Sequence, residues 1–213
     1  MLGLTGAPLE TGDDGMLPVS AAGLKVMSIG FLLAGRDTPV IWRGPRKMGA
    51  IRRFLTDVDW GDLDWLVIDA PPGTGDEPLS VCQLLEDADG AVVVTTPQDV
   101  AVDAVRRSLS FCRQLQVPVL GVVENMSGFL CPRCGELSEL ASTGGGEQMA
   151  QEAGVPFLGR LPLVPAVAQG GDTGTPIVSA LPESGVAVRF LDVLRPILEM
   201  AGPVGGEEPA PGR

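Results

Sequence analysis

Two cysteines separated by two residues form the strongest chemical signal in this 213-residue sequence. Cys131 and Cys134 lie in the segment Cys-Pro-Arg-Cys-Gly, and a close cysteine pair of this kind is typical of a metal or redox site. Because a tetrahedral zinc ion or a 4Fe-4S cluster needs four ligands, the pair provides half of such a site. A second copy related by a two-fold axis would provide the other half, so the spacing favours a homodimer that shares one cluster.

Two alternatives remain open for this pair, a zinc site and a thioredoxin-like redox dithiol. The redox motif lies near the start of a helix in a βαβ unit, whereas here Gly135 directly follows Cys134. The other two cysteines, Cys82 and Cys112, lie on apolar stretches of predicted helices, and we interpret them as small core residues. The sequence therefore offers one cysteine pair for chemistry.

Charge and composition exclude several other functions. The sequence has no histidine, which excludes Ser-His-Asp catalysis, Cys-His catalysis and histidine-ligated zinc. Its net charge of −12 opposes binding to nucleic acid or anionic lipid. Uncharged stretches are shorter than the roughly 18 residues that a membrane span needs, and the first residues lack the features of an export signal. We therefore expect a cytoplasmic protein without nucleic-acid or membrane partners.

A second candidate site lies where predicted strands end. Asp69 directly follows the apolar run 65–68, and a glycine-rich loop, Ala-Pro-Pro-Gly-Thr-Gly, leads from it to Asp76. An aspartate in this position can bind Mg²⁺, and glycines allow backbone amides to approach a phosphate closely. We interpret Asp69 as the Mg²⁺-binding carboxylate and Asp76 as the residue that begins the next helix.

Two further strand ends could contact a nucleotide base. Asn125 follows the apolar run 117–123, and its side-chain amide has the donor and the acceptor that match the edge of adenine. The segment around Pro162 could offer backbone groups to the same base. We interpret the glycine run 144–146 as a helix entry loop, because Glu147 in the first turn disfavours a bound anion there.

Apolar runs and helical periodicity alternate along the chain, which predicts an α/β fold with a mostly parallel, doubly wound sheet and helices on both faces. The predicted strands are 25–33, 65–68, 91–94, 117–123 and 156–161, and the predicted helices are 46–55, 79–85, 99–115, 147–153 and 186–200. In such a sheet, ligands bind at the carboxyl ends of the strands. We assign residues 1–23 to an irregular segment, 24–200 to one α/β domain and 201–213 to a disordered tail.

Several short motifs between residues 25 and 178 match those of one protein family. They are Lys-Val-Met-Ser-Ile-Gly-Phe at 25–31, Trp-Arg-Gly-Pro at 42–45, Asp-Val-Asp-Trp-Gly at 57–61, the loop 69–76, Thr-Thr-Pro-Gln-Asp-Val-Ala at 95–101, and the segments 121–127 and 131–135. On these motifs the chain resembles the Mrp/ApbC family of ATP-binding iron–sulfur cluster carriers, a branch of the MinD/ParA-like P-loop ATPases. The resemblance implies a P-loop NTPase-like fold and the transfer of clusters to apo iron–sulfur proteins.

The same resemblance implies roles for individual residues. The implied nucleotide contacts are Asp69 as the Walker B carboxylate near Mg²⁺, Pro72 and Gly73 in a switch II loop that senses the γ-phosphate of ATP, Asn125 on the adenine, and Pro162 on the base side. Cys131 and Cys134 are implied to bind a labile 4Fe-4S cluster that is shared across a homodimer. The spacing argument points to the same two cysteines.

One motif of that family is absent from the sequence. The loop Gly-Lys-Gly-Gly-Val-Gly-Lys-Ser/Thr does not occur, so the lysine and the amide groups that would hold the β- and γ-phosphates are missing. ATP hydrolysis by the chain as written is therefore not expected, and strands next to the missing strand would keep unpaired edges. We interpret Met1 as an internal methionine of a longer carrier. The alternative is a shortened paralogue that acts as a non-catalytic dimerisation or regulatory module.

Overall fold

Two small antiparallel hairpins lie near the N-terminus. The computed structural model describes residues 1–13, 15–33, 35, 38, 42, 44–85, 87–140 and 143–200. The hairpin strands are β1 (Glu10–Thr11), β2 (Met16–Leu17), β3 (Val19–Ala21) and β4 (Leu24–Val26). Met16 is buried, and its backbone N–H donates to the carbonyl of Asp57 at 2.8 Å. The expectation of irregular chain over 1–23 is wrong for β1, β2 and β3, because these strands are too short to show an apolar period.

The predicted strand 25–33 is wrong beyond its first two residues. β4 ends at Val26, and Ile29–Leu32 forms a short 3-10 helix. The hydroxyl of Ser28 accepts the N–H of Gly30 at 3.1 Å, which satisfies a donor at the start of this helix. A local side-chain hydrogen bond thus overrides the apolar composition of the segment.

Helices α1 (Gly44–Thr56) and α2 (Asp76–Leu84) pack against each other. Lys47 on α1 forms an ion pair with Glu77 on α2. Both helices are predicted from the sequence, and α2 begins at Asp76 as expected.

The apolar segment 65–68 does not form the predicted strand. Its residues are exposed, and Val67 is 83% accessible to solvent. A strand needs a neighbour to satisfy its backbone N–H and C=O groups, and among the described residues no strand pairs with this segment. Apolar composition alone therefore does not place residues 65–68 in the sheet.

A four-stranded sheet forms the centre of the remaining chain, with its longest strand in the middle. The elements follow in the order β5 (Ala91–Thr95), α3 (Asp99–Gln114), β6 (Val119–Leu130), β7 (Leu137–Ser138), α4 (Gly145–Ala153), β8 (Phe157–Leu163), α5 (Pro165–Thr173), α6 (Ile177–Ala180) and α7 (Gly185–Met200). β5 and β8 run parallel to β6 on its two sides, and β7 pairs antiparallel with its last residues. The predicted α/β class with a mostly parallel sheet is confirmed.

Each face of β6 lies against its own apolar cluster. Val122 belongs to a cluster with Leu109 of α3 and Met149 of α4. Val123 belongs to a second cluster with Val193 of α7. Because successive side chains of a strand point to opposite faces, helices cover both sides of the sheet, as the continuous apolar run of this strand predicts.

Sequence analysis misses α5 and the short α6. Pro165 at the first position of α5 fixes a backbone angle that suits a helix start. Gly170 and Gly171 lie inside the helix, however, and glycine is a poor helix former, so the segment is typical of a loop. Gly170 is required by packing, because a Cβ there would lie 2.6 Å from the carbonyl oxygen of Thr175.

Three expectations concern the chain as a whole. The predicted tail 201–213 lies outside the described residues. The domain boundary at residue 24 stays a prediction, although β3 and β4 pair across it. Within the described ranges, no helix is both long enough and apolar enough to cross a membrane.

Two valines on α3 give a matched test of this core. Val102 is 6% exposed and packs in the cluster of Val122, whereas Val100 is 84% exposed. We expect Val102→Ala to lower the free energy of unfolding by about 2 kcal/mol, because two buried carbons are lost and a cavity remains. Val100→Ala should leave stability unchanged or raise it slightly, because alanine is the better helix former. Urea unfolding measures both, and equal midpoints would contradict the packing of α3 on the sheet.

Candidate functional site

The predicted cysteine pair lies in a tight turn between β6 and β7. The backbone N–H of Cys131 donates to the carbonyl of Glu136 at 2.9 Å, and the N–H of Gly135 donates to the carbonyl of Cys131 at 2.9 Å. Gly135 has a φ of +72°, a conformation that glycine adopts without strain. These bonds close the turn, so Cys131 and Cys134 are held together just beyond the end of β6.

The surroundings of the Cys131 thiol favour its ionised form. The backbone N–H groups of Cys134 and Arg133 donate hydrogen bonds to its sulfur, the thiol of Cys134 donates another, and together they lower the pKa of Cys131. The thiolate is the form that binds a metal. Cys131 is half-buried and Cys134 is exposed, so an incoming metal centre can reach the pair from solvent.

Further metal ligands do not lie beside this pair in the described part of the chain. Among the described residues, no group of three or more His, Cys, Asp or Glu side chains could hold a metal ion. Cys112 is buried and Cys82 is half-buried, and burial raises the pKa of both thiols, which agrees with their interpretation as core residues. The described residues thus offer two thiols in this turn, and their role as half of a four-ligand site stays a prediction.

Glu124, near the middle of β6, has a fully buried side chain. Its Oε1 accepts the hydroxyl of Ser127 at 2.6 Å and Nε–H of Arg160 at 3.3 Å. Gly144 N–H donates to the same oxygen at 3.3 Å, and Gly146 N–H donates to Oε2 at 2.7 Å. Burial acts to raise the pKa of Glu124, but these hydrogen bonds and the Arg160 charge outweigh burial and hold the pKa below its ordinary value.

This carboxylate fills the N-terminus of α4. A Cβ on Gly146 would lie 2.8 Å from Cγ2 of Thr95 and 3.1 Å from Oε2 of Glu124, so glycine permits the close approach. Arg160 also forms an ion pair with Glu147 in the first turn of the helix. The glycine run 144–146 thus serves as a helix entry loop, as expected, and its amides already bind an anion of the protein. Sequence analysis does not identify Glu124, although an acid directly after a continuous apolar run is a signal for it.

Asn125 and Pro162 come together at the carboxyl end of the sheet. Asn125 pairs with Leu161 in the parallel register of β6 and β8, so Pro162 is the next residue on the neighbouring strand. Oδ1 of Asn125 accepts the N–H of Met126 at 2.9 Å, which orients the side-chain amide. The structure therefore brings the two predicted base-side residues to one place.

Asp69, Pro72 and Gly73 lie outside the sheet, in the exposed chain that leads into α2. Gly73 has a φ of +95°, so this loop turns where glycine is needed. In the part of the chain that is described, no strand pairing connects the segment before Asp69 with the ends of β6 and β8. The roles expected for these three residues remain predictions.

A mostly parallel sheet with helices on both faces and polar residues at the carboxyl ends of its strands defines an α/β protein of the P-loop NTPase type. The family model described as "ParA: NUBPL iron-transfer P-loop NTPase" matches residues 1–198. The chain therefore belongs to this family of iron-transfer P-loop NTPases.

Individual relatives agree with this assignment. The chain is 46% identical over 200 residues to the iron-sulfur cluster carrier protein of Methanocaldococcus jannaschii, covering 93% of this chain and 68% of the relative. A nucleotide-binding protein of Archaeoglobus fulgidus, solved in complex with ADP, is 38% identical with a TM-score of 0.68, covering 81% of this chain and 67% of that one. The cell division ATPase MinD of Pyrococcus furiosus shares the fold at 24% identity and a TM-score of 0.52, covering 73% and 59% of the two chains.

The depressed pKa of Glu124 predicts a pH dependence of stability. The ionised carboxylate stabilises the fold above about pH 4.3, the pKa of an unfolded glutamate, and this contribution is lost as the pH falls through the lower folded-state pKa. At pH 7 we expect Glu124→Gln to lower the free energy of unfolding by about 2 kcal/mol, because a buried donor loses its acceptor. The difference from the wild type should shrink towards pH 3.

Denaturant unfolding at several pH values measures this difference. Glu139→Gln is the matched control, because Glu139 is exposed and its variant should follow the wild type throughout. A difference between Glu124→Gln and the wild type that stays constant from pH 7 to the acid range would contradict the prediction.

Proposed function

We propose that the protein carries a 4Fe-4S cluster as its cargo and transfers it to apo iron–sulfur proteins. The observation that carries the proposal is the Cys131–Cys134 turn, in which backbone N–H groups stabilise one thiolate and the second thiol is exposed. Membership of an iron-transfer family supports iron as the cargo. The similarity to the iron-sulfur cluster carrier protein of M. jannaschii supports a cluster in preference to zinc.

Two copies of the chain together would hold one cluster. A 4Fe-4S cluster takes four thiolate ligands, whereas the described part of one chain offers two cysteines in one turn. A two-fold axis that brings two turns together completes the set, so we propose a homodimer. The cluster would then lie between subunits and close to solvent, where an acceptor protein can reach it.

Transfer is a ligand exchange at iron. Thiolates of the acceptor replace Cys134 and Cys131, each acceptor thiol gives up its proton, each released cysteine takes one, and the oxidation state of the cluster does not change. The exposed Cys134 would be replaced first, and the hydrogen-bonded, half-buried Cys131 last. The charge of −12 opposes nucleic acid and anionic membranes as partners, so we propose a cytoplasmic protein with protein acceptors.

Asn125 and Pro162 are the residues that fit a nucleotide base. They lie side by side at the carboxyl end of the sheet, where ligands of parallel α/β proteins bind. The amide of Asn125 can donate to and accept from the edge of adenine. The ADP complex of the A. fulgidus protein supports an adenine nucleotide as the ligand.

The described residues fit the phosphates of that nucleotide less well than they fit its base. Asp69 would bind Mg²⁺, with Pro72 and Gly73 near the γ-phosphate, but all three lie in exposed chain outside the sheet. The glycine run 144–146 is not a phosphate site, because the carboxylate of Glu124 accepts its N–H groups. No hydrolysis step follows from these residues.

Anaerobic reconstitution with ferrous iron and sulfide tests the cargo. We expect the wild type to gain a thiolate-to-iron charge-transfer absorbance with one 4Fe-4S cluster per two chains. Cys131→Ala and Cys134→Ala should each abolish it, because a dimer of either variant retains half of the ligands.

Cys82→Ala is the matched control, because Cys82 lies on α2 outside the turn and its loss should leave loading unchanged. Cluster loading that survives both Cys131→Ala and Cys134→Ala would overturn the assignment. Binding of zinc in place of a cluster under the same conditions would favour the zinc alternative.

A second candidate function is a non-catalytic dimerisation or regulatory module. One observation favours it: the carboxylate of Glu124 already occupies the backbone N–H groups at the N-terminus of α4. Such a module would keep the dimer and the cysteine turn without binding Mg-ATP.

Titration of the dimeric protein with Mg-ATP separates these candidates. For the carrier we expect measurable binding that Asn125→Ala weakens by about tenfold, because one amide–base hydrogen-bond pair is lost. Gln114→Ala is the control, because this side-chain amide lies exposed on α3. Dimerisation without any binding of Mg-ATP would instead support the regulatory module.

A further inference from the structure

We propose that Glu124 is a positioning residue that fixes the cysteine turn through Ser127 and thereby slows the release of the cluster. This inference rests on the proposed carrier function. Its basis is a chain of contacts from the buried carboxylate along the end of β6 to Cys131.

The first link is a bulge that interrupts β6. Its parallel register with β8 shifts between Asn125 and Phe129. Inside the bulge, Met126 has a φ of +55° and Gly128 a φ of +81°. Both values lie in the left-handed region of backbone angles, which residues other than glycine rarely adopt. A methionine in this conformation persists only where surrounding contacts enforce it.

Ser127 provides such a contact at the centre of the bulge. It is 6% exposed, and its hydroxyl donates to Oε1 of Glu124 at 2.6 Å. A hydrogen bond from a hydroxyl to an ionised carboxylate is among the stronger ones, and both groups are shielded from water here. The bond therefore holds the bulge against the sheet.

Glu124 is a fixed point because other elements hold it. The N–H groups of Gly144 and Gly146 bind it from the start of α4, and Arg160 binds it from β8. Arg160 is held in turn by its ion pair with Glu147. The carboxylate thus connects α4 and β8 with the bulge through a single side chain.

The last link joins the bulge to the cysteines. Phe129 and Leu130 directly follow it and pair with β7, and Cys131 is the next residue. Gly128 packs closely on β7, because a Cβ there would lie 3.1 Å from the carbonyl oxygen of Ser138. The direction in which the chain leaves the bulge therefore sets where the β6–β7 hairpin presents its thiols.

A fixed hairpin matters because metal ligands must be held to within a fraction of an ångström by the residues that support them. Without the Ser127 bond, the strained bulge relaxes and the hairpin moves more freely. A thiolate on a mobile turn leaves iron more often, so the cluster is lost sooner. Glu124 contacts the bulge and not the cluster, which makes it a positioning residue.

The test compares Ser127→Ala with Ser110→Ala in cluster-loaded protein. Ser127→Ala removes the donor to the bulge and leaves the bonds of Glu124 to α4 and β8, whereas Ser110 lies exposed on α3. We expect Ser127→Ala to lose its cluster to EDTA about tenfold faster than the wild type, with a changed visible circular dichroism spectrum. Ser110→Ala should match the wild type in both. The melting temperature of the apoprotein identifies any general loss of stability.

Glu124→Ala is the second variant, because it removes the acceptor of Ser127 altogether. A loaded Ser127→Ala or Glu124→Ala protein with the release rate and the circular dichroism of the wild type would overturn the inference and leave the carrier function intact. A wild type that takes up no cluster would instead overturn the carrier function.

Hydrogen exchange in the wild-type apoprotein gives a measurement that depends on no variant. We expect the amides of Phe129 and Leu130 to be protected to a degree similar to those of Val122 and Val123, because the bulge is held to the sheet. Exchange at 129–130 that is a thousandfold faster than at 122–123 would show a hairpin that is not fixed, and would overturn the inference.

Discussion

Hydrogen bonding along both edges of β6 is the constraint on which the rest of the structure depends. β5 and β8 fix the first half of this strand, which places Val122 and Val123 in two apolar clusters on opposite faces of the sheet. Beyond the bulge, Phe129 pairs again with β8 at Leu163, and the end of the strand also forms one arm of a hairpin with β7. One strand therefore contributes the core at its start, the buried carboxylate near its middle and the cysteine turn at its end.

The buried carboxylate of Glu124 changes what a glycine-rich helix start can do. Glycines before a helix commonly leave backbone N–H groups open to a phosphate. In this protein Gly144 and Gly146 direct those groups at Glu124, and Arg160 balances the charge. The same local pattern that can bind a nucleotide is used here to hold two strands and a helix together.

Sequence reasoning succeeds where one pattern is reinforced by tertiary contacts. The helical spacing of apolar residues in α3 and the continuous apolar run of β6 predict their elements, because each pattern matches a buried face. The run 65–68 has a similar composition, yet no described strand pairs with it, and pairing is a long-range property that composition does not contain.

In the candidate site, too, local patterns can be read from the sequence and long-range contacts cannot. The cysteine pair is visible in the sequence because both ligands lie within one turn. The role of Glu124 is not visible, because its partners Gly146 and Arg160 are 22 and 36 residues away and only the fold brings them to it.

The missing side chain at Gly146 leaves the space that the carboxylate of Glu124 occupies. A larger residue at 146 would displace the carboxylate, and a shorter acid at 124 would leave the amides without an acceptor. The residue at each of the two positions therefore limits which residues the other position tolerates.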